Sequence, residues 1–264
     1  MSDAAKPRRF TLFWAMLAVI TALYVGFILA LLFATAGHSS PEQFTAALRS
    51  PEIQRAIQLS LATCTAAAML SLLLAVPIGY LLARGRFWGK PLVEALLDLP
   101  IVLPPMVVGL CLLIFFQTPI GRALETVVPF TYTVYGVVLA QCVIGTALAV
   151  RTMRGTFEHI PERPEQVAMT LGCTRAEAVW RVTLPAARSG MFAAASVAWA
   201  RSLGEFGPIL VFAGATRMKT EVLPTTIWLE LSIGNLGAAI AVSLLMMGLA
   251  VLVLVAVRCV GQRP

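Results

Sequence analysis

The chain has 264 residues, of which 59% are hydrophobic and only 12% charged, with a mean hydropathy of +0.85. Soluble domains carry about 25% charged residues, so half that share describes a membrane protein and argues against a soluble enzyme. A net charge of +7 and a pI of 9.6 do not make it a nucleic-acid binder: the basic residues sit at the ends of apolar runs, and no zinc-finger spacing or basic-aromatic surface is present.

The first apolar run, about 10–33, follows Lys6, Arg8 and Arg9. It is longer than the roughly 7–15 residues of a signal peptide and is read as an uncleaved first span. The second, about 56–83, exceeds what a bilayer needs and carries Pro77, so a tilt or kink is expected. The third, about 98–116, begins in "DLPIVLPPMVVGL". There Pro100, Pro104 and Pro105 remove backbone donors, so the segment either lines a protein or water cavity or starts its helix late. The remaining spans are expected at about 133–151, 190–213 and 236–257. The fold class is all-α: one integral-membrane bundle of six spans over 1–264.

The positive residues orient it. Lys6, Arg8 and Arg9, then Arg84, Arg86 and Lys90, then Arg151, Arg154, Arg163, Arg175, Arg181 and Arg188, and finally Arg258 and Arg263 share one side, fourteen of the twenty Lys and Arg residues. That side is read as cytoplasmic, with both termini on it. The outer loops are each about twenty residues; the first opens on the helix-start signal Ser40-Pro41-Glu42.

The longest polar stretch, about 154–188, reads as a helix-turn-helix. Pro164 suits a first helical turn, with Glu165 and Gln166 complementing the helix dipole. Val167, Ala168 and Leu171 form an apolar face, and Gly172 supplies the stop. Thr174 and Glu177 have capping-box spacing. Ala176, Val179, Trp180 and Val182 make the second helix's apolar side, which Leu184-Pro185 is expected to end.

In the fifth span, "ARSLGEFGPIL" places Arg201 and Glu205 on one helical face inside the membrane. They either pair with each other and fix packing, or line a polar path through the bundle, or exchange between the two. Ser196, Ala200 and Gly204 form a small-residue stripe suited to close helix approach, and with Gly207-Pro208 weakening the helix beyond it this suits an interface between two copies. No G-x-x-x-x-G-K-[ST] loop, zinc motif or G-x-S-x-G elbow is present, so ATP hydrolysis and integral-membrane enzyme chemistry are not expected of this chain. An ion-coupled secondary transporter would show repeated halves and more intramembrane acids. Cys64, Cys111, Cys142, Cys173 and Cys259 have no Cys-x-x-Cys pairing, and His38 and His159 lie in different loops, so no metal site is expected.

Gln166-Val167-Ala168, three residues, Gly172, nine residues and Val182-Thr183-Leu184-Pro185 resemble the EAA signature of membrane subunits of binding-protein-dependent ABC importers. Ala168, Gly172, Leu184 and Pro185 match in identity; Gln166 stands where the family usually has glutamate. The Pro-rich third span, the pentad Leu203-Gly204-Glu205-Phe206-Gly207 and "MKTEVLPTTIW" (218–228) resemble the molybdate, tungstate and sulfate permeases. The resemblance implies a type I importer permease, with residues about 162–185 as a cytoplasmic coupling element on a separate ATPase. It implies that Arg201, Ser202, Gly204, Glu205, Phe206 and Gly207 surround the path and gate. The implied cargo is an oxyanion, molybdate or tungstate ahead of sulfate or thiosulfate. The implied partners are two copies of an ABC ATPase, a second permease subunit, identical or related, an extracytoplasmic binding protein and inner-membrane lipid. No cofactor is expected on this chain, ATP being used by the ATPase.

Overall fold

The computed structural model describes residues 12–38 and 41–261. The start of the first run at Phe10, the basic residues Lys6, Arg8, Arg9 and Arg263, and Ser40 lie outside them. The described chain is helical: α1 (Leu12–Gly37), α2 (Pro41–Arg49), α3 (Pro51–Arg84), α4 (Lys90–Val102), α5 (Pro105–Gln117), α6 (Pro119–Glu125) and α7 (Val134–His159). There follow α8 (Arg163–Thr170), α9 (Arg175–Ala178), a π-helical turn (Val179–Thr183), α10 (Leu184–Ala186) and α11 (Arg188–Leu203). A second π turn (Ile209–Ala213), α12 (Leu223–Ser232) and α13 (Leu236–Gly261) complete the chain.

Four helices are long and apolar enough to cross a membrane, α1, α3, α7 and α13, or five spans if the bent pair α4–α5 is one. Of the six expected spans, the first, second, fourth and sixth correspond to these four. The second is 34 residues long and passes through Pro77 as one helix. Ser50 caps its start, its Oγ accepting from the Ile53 amide at 3.3 Å. The fourth starts where expected, with Thr133 capping, but continues to His159, so its end stands well beyond an apolar run that closes near Val150.

The third expected span is not one helix. Its chain is helical from Lys90, and it bends by 111° between α4 and α5. Pro100 lies within α4 and does not break it, because Leu103 still donates to the Leu99 carbonyl at 3.0 Å. The break comes at Leu103 and Pro104, both extended, at ψ 142° and 133°. Each precedes a proline, and the ring of a following proline drives a residue out of the helical region. Two such residues in a row end a helix where a single proline does not.

The fifth expected span is also interrupted. α11 ends at Leu203; Glu205 and Phe206 are non-helical, and the chain regains a helical turn only at Gly207. Arg201 and Glu205 therefore do not share one continuous helix.

The core is built on α3 and α7, with α11 across both. It is rich in alanine: Ala68, Ala75, Ala149, Ala187, Ala194 and Ala198 are buried with Leu82, Met153 and Phe157. Small side chains let backbones approach closely, the main source of helix association in a lipid-like solvent. The buried stripe of α11 is thus Ala194/Ala198, while Ser196 and Ala200 are half-buried and Gly204 is exposed. At the other end, Leu59, Phe116, Val137, Ile209 and Phe212 form a second cluster, with Phe116 and Phe212 rings 5.3 Å apart.

Candidate functional site

Two sets of residues predicted to be functional are brought together, one at each depth of the bundle. The first is the hairpin α8–α9. α8 runs Arg163–Thr170 and the turn closes at Gly172, whose φ of +96° favours a residue without a Cβ. The capping box forms: Thr174 Oγ1 accepts from the Glu177 amide at 3.3 Å, and the Thr174 amide donates to Glu177 Oε2 at 2.8 Å. That amide, then the Thr174 hydroxyl, then Arg181, hold the Glu177 carboxyl below its usual range.

Leu184-Pro185 does not end the second helix. The Leu184 amide donates to the Val179 carbonyl, so the chain widens to a π turn and runs on through α10 toward α11. A π turn leaves room for a proline that cannot donate, which explains why a Leu-Pro is tolerated here.

The hairpin's apolar residues do not all face inward. Val167 is 56% exposed, Leu171 80% and Trp180 72%, while Ala168 is half-buried and Ala178 buried. Glu165 has the opposite fate. It is buried, accepting from the Tyr80 hydroxyl at 2.6 Å and the Thr183 hydroxyl at 2.9 Å, with Arg175 Nε at 3.8 Å. Gln166 is exposed. Glu165 therefore fastens α8 to α3 and to the π turn, and Gln166, Val167 and Leu171 form the outward surface. Arg84 adds a second tie, donating from Nη2 to the Ile160 carbonyl at 2.6 Å.

The second set lies where the two interrupted spans meet. A Cβ on Gly109 of α5 would stand 2.7 Å from Pro208 Cα, and one on Gly207 would stand 3.0 Å from the Met106 amide nitrogen and 3.2 Å from Pro105 Cβ. Only bare backbones pack this closely, so the proline break of the third span is seated on the Gly-Pro break of the fifth. Phe206 continues outward to Trp228 of α12, ring centroids 6.5 Å apart. Pro105 belongs to this junction, Pro104 is the extended residue that precedes it, and Pro100 lies inside α4.

Arg201 Nη1 and Glu205 Oε2 are 2.6 Å apart, so the two intramembrane charges do pair. Glu205 is buried while a third of the Arg201 side chain is exposed, so the pair has one end in the core and one at the surface. Ser202 is buried beside it, and its Oγ has no hydrogen-bond partner among the described residues.

Sequence reasoning missed two residues that hold these sites. Gln141 of α7 is buried and donates to the Ser202 carbonyl at 3.2 Å, a carbonyl at the interrupted end of α11. Tyr80 holds Glu165. Gln141 was visible as an amide within an apolar run, the pattern that marks costly and specific intramembrane contacts, whereas Tyr80 shows only a hydroxyl at the end of an apolar helix. A third polar group stands on the opposite end: Arg217 Nη2 reaches Glu230 Oε1 at 2.6 Å, Asn235 donates to Glu230 Oε2 at 2.8 Å, and buried Glu221 is pushed above its usual range by burial. This group includes part of the "MKTEVLPTTIW" stretch.

A profile of binding-protein-dependent transport system inner membrane components matches residues 75–264. A molybdenum transport system permease protein of Mycobacterium tuberculosis is 38% identical over 81% of this chain and 82% of its own. A molybdate/tungstate transport system permease protein of Thermococcus kodakarensis is 35% identical over 78% and 79%. A sulfate transport system permease protein of Escherichia coli is 30% identical over 84% and 81%. In fold, the chain resembles one from a bacterial alginate ABC transporter crystallised with its periplasmic protein, at a TM-score of 0.76 over 97% of this chain and 96% of that one, with 16% identity. The match to the transport-system profile covers both the hairpin and the junction of broken spans, and the chain belongs to the family of binding-protein-dependent transport system inner membrane components.

Proposed function

We propose that the chain is the membrane-spanning permease subunit of an ATP-driven importer, moving molybdate or tungstate handed over by an extracytoplasmic binding protein. The observation that carries this is the similarity, at 35–38% identity over about four-fifths of the chain, to permeases named for those oxyanions. Sulfate is the second reading, supported by the relative at 30% identity.

In this reading the hairpin couples the permease to a separate ATPase, which binds the ATP. Gln166, Val167, Ala168 and Leu171 face the ATPase, while Gly172, Thr174, Glu177, Val182, Leu184 and Pro185 hold the hairpin's shape. Glu165 is the internal anchor and does not replace the missing acid at 166. Six spans per chain, two permease chains and two ATPase chains complete the transporter, with the hairpin and both termini on the cytoplasmic side of the inner membrane.

The junction of broken spans is then the moving part. Gly109 and Gly207 let the two segments slide on bare backbone beside Pro105, with Pro104, Gly204 and Phe206 flanking the breaks, and the Arg201–Glu205 pair sets the charge beside it. Arg201 offers a positive potential to a passing anion, and its pairing with Glu205 keeps that charge from being left alone in the membrane.

The test is uptake of labelled molybdate in cells carrying the chain with its ATPase and binding protein, with unlabelled tungstate and sulfate as competitors. Competition by tungstate, and weak competition by sulfate, is expected; stronger competition by sulfate would reverse the order. Gly172→Trp should remove both uptake and retention of the ATPase in mild detergent. Full uptake by that variant would remove the coupling role from the hairpin.

A further inference from the structure

A long groove runs down one side of the hairpin end, with a cavity volume of about 990 Å³. Its walls are the apolar residues Met69, Leu73, Val76 and Leu81 of α3, Trp180 of the π turn and Met191 of α11. Arg84, Arg86 and Arg175 stand at one end. The α3 wall faces outward, with Met69 and Leu73 each 69% exposed.

Three observations say what fits there. The first is length: Met69 to Arg84 is fifteen helical steps, about 22 Å, which exceeds the roughly 15 Å from headgroup level to bilayer centre. The second is charge. Arg84 is engaged by the Ile160 carbonyl and lies 3.5 Å from Glu162, and Arg175 lies 3.8 Å from Glu165. Arg86 is exposed and has no ion pair among the described residues, so the mouth keeps a net positive charge. The third is depth: Trp88 is fully exposed and Trp180 is 72% exposed, one beyond Arg86 and one on the groove wall. Tryptophan collects at the headgroup level of a membrane, which places the basic end of the groove there.

We propose that this groove holds one anionic phospholipid, its phosphate between Arg86 and Arg175 and an acyl chain along Met69, Leu73 and Val76. Basic pockets between spans on the cytoplasmic side recognise such headgroups, and anionic lipids are concentrated in that leaflet. The occupant touches Arg175 and Trp180 of the hairpin, so bound lipid braces the hairpin against α3 alongside the Glu165–Tyr80 bond. The assignment does not depend on the transported anion; it uses the topology above only to choose the leaflet.

The test is native mass spectrometry of the purified full-length chain, extracted from membranes containing phosphatidylcholine and phosphatidylglycerol in equal parts. Retention of one phosphatidylglycerol in preference to phosphatidylcholine is expected. Arg86→Gln should lower that retention about fivefold, the contribution of one basic residue at a membrane surface. Leu73→Trp fills the apolar half, and its side chain is exposed, so the fold survives; it should lower retention with Arg86 intact. Equal retention of the two lipids, or unchanged retention in both variants, overturns the proposal. So does a disulfide between Leu73→Cys residues of two copies in a background without the native cysteines, because it places a second chain over the groove.

Discussion

Glu165 and Gln166 are neighbours in sequence with opposite surroundings, and this separates what each can do. Glu165 accepts from two hydroxyls in a buried position, so Glu165→Ala strands the Tyr80 and Thr183 hydroxyls and should cost about 2–3 kcal/mol. Thermal unfolding of the purified chain should show the loss, while Gln166→Ala, on an exposed side chain, should leave the unfolding temperature unchanged. Equal destabilisation by both would contradict the division between anchor and outer face. Glu177 tests the turn in a different way. Its carboxyl is held below the usual range by the Thr174 amide and hydroxyl, so its stabilising contribution is present above the ordinary carboxylate range. That contribution is lost as pH falls through the lowered folded value. The gap in unfolding temperature between the native chain and Glu177→Gln should therefore be widest near pH 7 and close on acidification below about pH 4. A gap independent of pH would mean that the carboxylate charge contributes nothing to the cap.

Among the elements, what could be read from sequence depended on whether the signal was local. Thr174 and Glu177 announced their capping box, and Gly172 its turn, because every participant lies within a few residues. The break at Pro104 was equally local, yet its position relative to Pro100 follows from two consecutive prolines acting on two preceding residues. The seating of Gly109 on Pro208 was not legible, since each glycine has meaning only through a backbone about a hundred positions away. The inward turn of Glu165 was hidden for the same reason: its partner Tyr80 lies on α3. The glycine junction gives the prediction at this scale. Gly109→Val places branched carbon atoms where even a Cβ stands 2.7 Å from Pro208, so α5 must lift away from the fifth span. Overpacking of this kind costs about 1–3 kcal/mol. Uptake should fall sharply while ATPase retention in mild detergent persists, because the hairpin lies at the other end of α7. Gly155→Ala is the matched control, as nothing lies within 4 Å of a Cβ there.

For the whole molecule, the question raised by two interrupted helices is whether each still crosses. α4 and α5 have 13 residues apiece, about 20 Å each, so neither reaches across a core of about 30 Å alone. α7 serves as the measure. At one end of α4, Glu94 lies 2.9 Å from Arg154; at the far end of α5, Phe116 packs in the cluster that holds Val137. Arg154 and Val137 are seventeen residues apart on one helix, about 25 Å along its axis. The bent pair therefore touches α7 at two levels, while its 111° bend is compatible with a broken span or with a loop returning to its own side. The fifth segment touches the same two levels: Ala187 and Ala194 pack in the cluster of Phe157, and Phe212 in that of Val137. Single cysteines in a cysteine-free chain, expressed without its ATPase so that residue 171 stays uncovered, test both crossings and the orientation together. Trp88→Cys and Leu171→Cys should react with a membrane-impermeant maleimide only in inside-out vesicles, and Val127→Cys and Lys219→Cys only in right-side-out ones; all four positions are exposed. Reversal of all four would invert the molecule without changing its span count. Labelling of residues 88 and 127 from one side would make α4–α5 re-entrant, and labelling of 171 and 219 from one side would do the same for the fifth segment. Either outcome would leave fewer than six crossings, and the moving junction would then sit on a loop instead of between two spans.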